Sequence, residues 1–400
     1  MKIKELYQKN NAKIVFLVAD GLGGIPHPEF NNLTELEYAK TPNLDKITPK
    51  SILGLTIPVD YGITPGSGPA HLSLFGYKPE EAEIGRGALE AYGIGHIMKE
   101  NELAIRANFC TINESRIVLD RRAGRIDTNE MRRIVGKLSE KISYIGPYKV
   151  TFLPGKEHRF VIILEGENLS DKLTDTDPQK EGHVILSADP LDESAKPTSK
   201  IVNMLVDEII ATLKDENRAN GVLLRGYSLK PKIESFEEKF GLKALSLANY
   251  PMYKGITRIL GMDTPEAGEN FGDLLDYFKN NYENYDFIYI HYKYTDKAGE
   301  DGDFLKKVSY IEELDKYIPE ILSINPDVFV LTGDHSTPSL LKSHSWHPNP
   351  TLLLSKYAGF DGIEHFTERN CKNGSLGTIY AYHLLPLVMA CTLKLKKWGA

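Results

Sequence analysis

The chain has 400 residues, of which 41% are hydrophobic, 26% charged and 10% aromatic, a length and balance that suggest two or three domains with sizeable cores and exclude a disordered or low-complexity scaffold. A formal net charge of −7 lacks the basic excess of a protein built to coat nucleic acid. Three scattered cysteines, Cys110, Cys371 and Cys391, suit neither a disulfide framework nor a cysteine zinc site, so a reducing cytoplasm is the expected compartment.

In chain order, the first apolar run is Ile14-Val-Phe-Leu-Val-Ala-Asp20, too short for the core of a signal peptide. Short continuous runs rich in β-branched and aromatic residues read as strands buried on both faces of a parallel sheet. The Gly/Pro segment Thr64-Pro-Gly-Ser-Gly-Pro-Ala-His71 follows. Asp127 with Glu130 predicts a capping box ahead of a helix that buries Met131, Ile134, Val135 and Leu138. Ile201, Leu205, Ile209 and Leu213 form a second helical stripe. Phe287-Ile-Tyr-Ile-His-Tyr292, followed by Asp296, and Val328-Phe-Val-Leu-Thr-Gly-Asp334 repeat the grammar of the first run. Between them, Val308, Ile311, Leu314, Ile318 and Leu322 make a stripe interrupted by Pro319. The longest apolar stretch, near Leu384 to Leu393, contains Pro386 and falls short of the roughly 18 residues of a membrane span. No membrane partner is expected.

Three strands thus deliver Asp20, Asp296 and Asp334 beyond their carboxyl ends, where open α/β sheets gather ligands. His335 adjoins Asp334, and His344-Ser-Trp-His347 lies ten residues on. Asp296 and Glu300 share a helix face if that segment is helical. Four carboxylates and up to three histidines suffice for two divalent cations with mixed oxygen and nitrogen ligands. Singly, an Asp after a strand is an ordinary helix cap. Several at one edge repel one another and call for neutralising cations.

Ser67 is flanked by glycines, which expose its hydroxyl at a turn and suit a nucleophile, although a serine in a Gly/Pro loop is more often a turn residue. Pro65 and Pro69 rule out a G-x-S-x-G elbow. A nearby cation would lower the hydroxyl pKa without a histidine base. Seven arginines, at 106, 116, 121, 122, 125, 132 and 133, punctuate the next stretch. Arg121-Arg122-Ala-Gly-Arg125 reads either as an anion clamp or as a solvated charged face. Arg159, Arg225 and Lys254 are further anion-binding candidates. The chain has no G-x-x-x-x-G-K-[ST], and its glycine clusters complete no G-x-G-x-x-G, so no nucleotide is expected.

The strand ending in Asp20-Gly-Leu-Gly, the segment Pro65-Gly-Ser-Gly-Pro-Ala-His-Leu-Ser-Leu-Phe-Gly-Tyr77, Gly85-Arg-Gly-Ala-Leu-Glu90, Asp120-Arg-Arg-Ala-Gly-Arg125, Tyr253-Lys-Gly255, Asp296-Lys-Ala-Gly-Glu-Asp-Gly-Asp303 and Gly333-Asp-His-Ser-Thr-Pro338 form an ordered series. Taken together it resembles the archaeal-type 2,3-bisphosphoglycerate-independent phosphoglycerate mutases of the alkaline phosphatase superfamily. The resemblance implies an α/β, alkaline-phosphatase-like core with a mostly parallel sheet flanked by helices (1–84 and 246–400) and an inserted α+β cap (85–245). It also implies interconversion of 2- and 3-phosphoglycerate through a phosphoserine, with domain closure to exclude water. The alternatives are a metal-dependent phosphomonoesterase or phosphotransferase on another small phosphorylated metabolite, and a metal-binding module without activity.

Carried over by position, Ser67 would be the nucleophile and share one cation with Asp20, Asp334 and His335. Asp296 and His344 would bind the other, with Glu300 where the family pattern has histidine and His347 as an alternative. That change biases the site towards hard ions, Mn²⁺ first, with Mg²⁺, Co²⁺ and Zn²⁺ as alternatives. Arg121 and Arg122 would act in catalysis, Arg106 and Arg125 in substrate binding, and Lys254 near the transferring phosphate; Arg159 and Arg225 join the substrate-binding set on their anion-binding chemistry alone. Gly68 departs from an aspartate that often follows the serine.

Overall fold

Residues 14–19 form a strand, Ile14–Ala19, with every side chain buried, as a continuous apolar run requires when both sheet faces are covered. The computed structural model describes residues 3–399. They fall into two units, one of residues 3–83 with 233–399 and one of 84–232.

The first unit is built on a seven-stranded sheet in the order Gly377–Tyr380, Ile52–Ile57, Asn349–Ser355, Val328–Thr332, Ile14–Ala19, Phe287–Tyr292, Ala244–Leu247. All neighbours are parallel except Asn349–Ser355, which runs against both of its partners. This is the α/β, mostly parallel architecture read from the sequence. Ala19 pairs with Tyr292 and Val18 with Thr332, so the three central strands end nearly level and put Asp20, Lys293 and Gly333 at one edge.

Helix Phe304–Leu322 continues through Pro319. Proline lacks the N–H that would bond the carbonyl of Asp315, and Asn43 Nδ2 donates to that oxygen instead at 3.2 Å. The Asp315 carboxylate meanwhile accepts the amides of Asn43 and Leu44 at the start of helix Pro42–Ile47. Among the described residues no helix is long and apolar enough to cross a membrane.

The second unit carries a six-stranded sheet in which Glu102–Ile112 pairs antiparallel with Val118–Asp120, Arg159–Glu165 and Gly221–Leu229, and Tyr148–Pro154 and Tyr144–Ile145 extend it. Phe109 stacks on Phe160 at 4.3 Å in its core; helix Thr128–Lys141 buries the whole stripe read from the sequence, and helix Lys196–Leu213 buries Leu205, Ile209 and Leu213 and leaves Ile201 partly buried. The capping box does not form in full. Asp127 accepts from the amides of Asn129 and Glu130, but the Glu130 carboxylate turns to Arg133 at 2.8 Å rather than back to the cap.

The expected inserted segment, 85–245, ends too late. Helix Phe236–Phe240 sets Phe236 against Phe287, and Ala244–Leu247 pairs with Phe287–Tyr292, so residues 233–245 belong to the first unit.

Candidate active site

Asp20 is the residue after Ile14–Ala19, and Gly21 turns the chain there in the left-handed region, φ 63°. A side chain at Gly21 would also collide with Thr337 and with the Asp296 backbone, so the three strand ends close on one another only because this position is glycine. Asp296 sits on helix Tyr294–Asp301, while Asp334 and His335 follow Val328–Thr332. Ser67 occupies the first position of helix Ser67–Leu74, capped by Gly66. Its hydroxyl is 3.3 Å from His335 Nε2.

Two sets of donor atoms converge, each within 4.8 Å: Asp20, Asp334 and His335, and Asp296, His335 and His344. His335 belongs to both. Its Nε2 is 3.4 Å from Asp20 Oδ1 and 3.1 Å from Asp334 Oδ2. His344 Nε2 lies 3.5 Å from Asp296 Oδ1.

The hydrogen bonds behind these rings fix which nitrogen faces the site. Thr337 Oγ1 donates to Asp296 Oδ1 at 2.9 Å and therefore accepts from His335 Nδ1 at 3.0 Å. His344 Nδ1 donates to the Pro65 carbonyl at 3.0 Å. With Nδ1 so engaged, Nε2 of each ring is the nitrogen that faces the carboxylates and that, once deprotonated, can offer a lone pair to a cation. Asp20 Oδ1 and Asp334 Oδ2 are buried without a hydrogen-bond partner. Two buried carboxylates and an imidazole converging in this way suit a divalent cation.

Five residues not expected from the sequence complete the surroundings. Lys293 Nζ bridges Asp20 Oδ2 at 3.0 Å and Asp296 Oδ2 at 3.1 Å. Tyr253 donates its hydroxyl to Asp20 Oδ2, and His291 Nε2 lies 3.3 Å from the same oxygen. His71, one helical turn after Ser67, donates Nδ1–H to the Ser67 carbonyl at 2.9 Å and lies 3.2 Å from Asp334 Oδ2. Tyr289 donates to its Nε2 at 2.7 Å. The one signal in the sequence was spacing: Lys293 precedes Asp296 by three, and His71 follows Ser67 by four.

Burial pushes the Asp20 carboxyl up, but His291, Lys293 and His335 outweigh it and hold the group well below the usual carboxylate range. For Asp334, burial and Asp20 push upward, while His335 and His71 prevail and lower it. Burial lowers the Lys293 ammonium, yet Asp20 and Asp296 raise it overall. All three are charged at neutral pH.

The remaining expected residues are placed differently. Glu300 is on the Asp296 helix but half exposed, its Oε1 3.7 Å from His344 Nε2. It stands at the margin of the donor sets. His347 belongs to neither set, its Nδ1 lying 3.1 Å from Ser345 Oγ. Lys254 neighbours Tyr253, but its ammonium is paired with Glu266 at 2.6 Å.

In the second unit, Arg106 and Arg225 pair directly across neighbouring strands, and Arg159 lies opposite Asn108. Burial lowers the Arg106 guanidinium, and its neighbours Arg159, Arg86 and Arg225 push it further down against Glu90. Nε of Arg159 is buried without a hydrogen-bond partner, and Nε of Arg106 is buried with only Glu90 Oε1 beside it at 3.4 Å, which suits an anion. Arg86, absent from the expected set, joins this group. His158 is depressed to about 4 by burial, Arg159, Arg122 and Arg106, so Arg122 adds its field to the same face. Arg121 is clamped by both oxygens of Asp177 at 3.0 and 2.7 Å. Arg125 is exposed. Arg116 and Arg133 are spent in ion pairs with Asp207, Glu130 and Glu216.

A mostly parallel sheet with carboxylates, histidines and a helix-start serine at its carboxyl edge defines an α/β enzyme whose donor set suits divalent cations. Residues 49–218 match the family model for 2,3-bisphosphoglycerate-independent phosphoglycerate mutase. A Thermotoga maritima protein named "Probable 2,3-bisphosphoglycerate-independent phosphoglycerate mutase" is 50% identical over 398 residues, covering 100% of this chain and 98% of the relative. Among solved structures, the cofactor-independent phosphoglycerate mutase of Thermoplasma acidophilum aligns with a TM-score of 0.75 at 29% identity, covering 95% of this chain and 100% of that one. A protein from Pyrococcus horikoshii aligns with a TM-score of 0.82, also at 29% identity, over 98% of this chain and 100% of that one. The chain belongs to the family of 2,3-bisphosphoglycerate-independent phosphoglycerate mutases.

Proposed function

We propose that this protein interconverts 2- and 3-phosphoglycerate without 2,3-bisphosphoglycerate, passing the phosphoryl group through Ser67. The observation that carries this reading is the 3.3 Å approach of Ser67 Oγ to His335 Nε2, at the point where Asp20 and Asp334 also converge. Asp20, Asp334, His335 and Ser67 would hold one divalent cation, and Asp296 and His344, with Glu300 turning inward, the other. Mn²⁺ is the ion we favour. Such cations, when bound, lower the serine pKa and neutralise charge on the transferring group.

Ser67 Oγ attacks phosphorus, forming the serine O–P bond as the bond to the substrate oxygen breaks. Glycerate then takes the phosphoryl group back on its other hydroxyl, and Ser67 is regenerated. The serine's place at the start of an eight-residue helix sets backbone N–H groups towards the phosphoryl oxygens. Tyr253, whose hydroxyl burial and Asp20 push well above its ordinary pKa, stays protonated and holds Asp20 in place. Lys293 supplies fixed positive charge beside the reacting group. The second unit adds a separate anion-binding face from Arg86, Arg106, Arg159, Arg225 and Arg122, suited to the carboxylate and phosphate of a small acid. Arg121, tied to Asp177, orients that face.

The test is phosphorus NMR of 3-phosphoglycerate with the purified protein and Mn²⁺, with Ser67→Ala as control. Appearance of 2-phosphoglycerate with little inorganic phosphate, absent in the variant, is expected. Inorganic phosphate alone would make the protein a phosphomonoesterase.

A further inference from the structure

Behind the donor sets lies a second charged cluster that this chemistry does not use. Lys307, on helix Phe304–Leu322, has no solvent exposure. Its ammonium donates to the carbonyls of Gly23 at 3.0 Å and Thr337 at 2.8 Å. Those carbonyls belong to the segments that follow Asp20 and His335. The Gly23 oxygen also accepts the Thr337 amide at 3.0 Å, so the ammonium sits on the junction of the two segments.

Two buried acidic side chains bond the same segments. Glu35 accepts the amide and hydroxyl of Ser339 at 2.8 and 2.5 Å, and its Oε2 lies 4.0 Å from Lys307 Nζ. Glu368 accepts the Gly24 amide at 2.9 Å and the Thr34 hydroxyl at 2.6 Å. A Cβ at Gly24 would fall 2.0 Å from Glu35 Oε2, so glycine is needed for this approach.

Apolar packing would hold the fold as well as a desolvated ammonium 4.0 Å from a buried carboxylate does. What an apolar residue lacks is a donor for two carbonyls at once. Thr337 carries the consequence forward, because its hydroxyl bonds both Asp296 and His335.

We propose that Lys307 is a positioning residue: by holding the Gly23 and Thr337 carbonyls together, it sets Asp20 against His335 and Asp296 before a cation enters. The proposal rests on the reading of these groups as a cation site.

The test compares metal-free full-length protein, Lys307→Met, and Lys307→Met combined with Glu35→Gln, which removes the unpaired carboxylate. Mn²⁺ affinity is read by electron paramagnetic resonance, with melting temperature, kcat and KM for 3-phosphoglycerate measured alongside. The double variant is expected to melt cooperatively near the wild-type temperature, to bind Mn²⁺ about 10- to 100-fold more weakly, and to lose about tenfold or more in kcat with KM changed by less than about threefold. A double variant with wild-type Mn²⁺ affinity and kcat would overturn the proposal.

If the variants do not fold, hydrogen exchange on the metal-free wild type decides. Amides of Thr337 and Ser339 protected as strongly as those of Ile14–Ala19 support the clamp, and amides that exchange freely until Mn²⁺ is added overturn it. Wild-type protein that binds no Mn²⁺ would instead remove the cation reading, and the proposal with it.

Discussion

The imidazole rings of His335 and His344 stack with centroids 3.6 Å apart and planes 24° from parallel. The stack mechanically joins two donor sets that draw their carboxylates from distant strands. His344→Ala should therefore remove more than one ligand. Calorimetric titration with Mn²⁺ is expected to show one ion bound instead of two, with the remaining ion held about tenfold more weakly because His335 has lost its support. Unchanged affinity for the first ion would mean that the two sets act independently.

Glu300 offers a hard oxygen where a nitrogen would favour borderline ions. Its carboxylate is 3.7 Å from His344 Nε2 and half exposed, beside the donor sets. Glu300→His should shift the ratio of activities with Zn²⁺ and Mn²⁺ towards Zn²⁺ by about tenfold. An unchanged ratio in parallel metal reconstitutions would show that Glu300 does not ligate.

The buried Glu368 gives the fold an unusual pH response. Burial, helped by Glu35, raises its pKa from 4.5 to about 7 against the bonds from Thr34 and Gly24. The folded state then holds a proton that the unfolded state has released. Stability is expected to fall as pH rises from about 4.5 to about 7 and to level off above that. Glu368→Gln should flatten that part of a plot of melting temperature against pH. A variant with the wild-type slope would exclude Glu368 as its source.

Asp177 in the second unit has the opposite sign. Burial raises its carboxyl, but hydrogen bonds from Arg121 and Gln179 bring it below its ordinary value. Its contribution is present above the unfolded pKa and lost as pH falls through the folded one. Asp177→Asn should cost about 1–3 kcal/mol at neutral pH and less in acid. Chemical denaturation at two pH values checks both the size and the sign. Because Arg121 is released, KM for phosphoglycerate should rise as well.

Strands read well from the sequence because burial on both faces leaves an unbroken apolar run. Asp20, Asp334 and His335 were legible as the residues just after such runs. Lys293 and His291 sat in the same run as Asp296 but were hidden, since their role depends on a parallel register that brings Tyr292 beside Ala19. Tyr253 and His71 act through tertiary approach to Asp20 and Asp334, which spacing does not encode. Lys307 was concealed inside a helical stripe, where a lysine passes for a solvated neighbour of Val308. Among the arginines, composition could not separate Arg106 and Arg159, which keep buried donors, from Arg116 and Arg133, which are spent on surface carboxylates. The boundary near residue 245 failed because a four-residue strand, Ala244–Leu247, leaves too short a signature to declare which sheet it joins.

The ammonium of Lys293, shared between Asp20 and Asp296, acts as an internal counter-ion for these two carboxylates. Removal of a divalent ion from these donor sets would leave Asp20 and Asp296 still paired with an ammonium. The protein is therefore expected to survive metal stripping as a folded, reloadable chain, and Lys293→Met to convert the same treatment into partial unfolding, visible by circular dichroism.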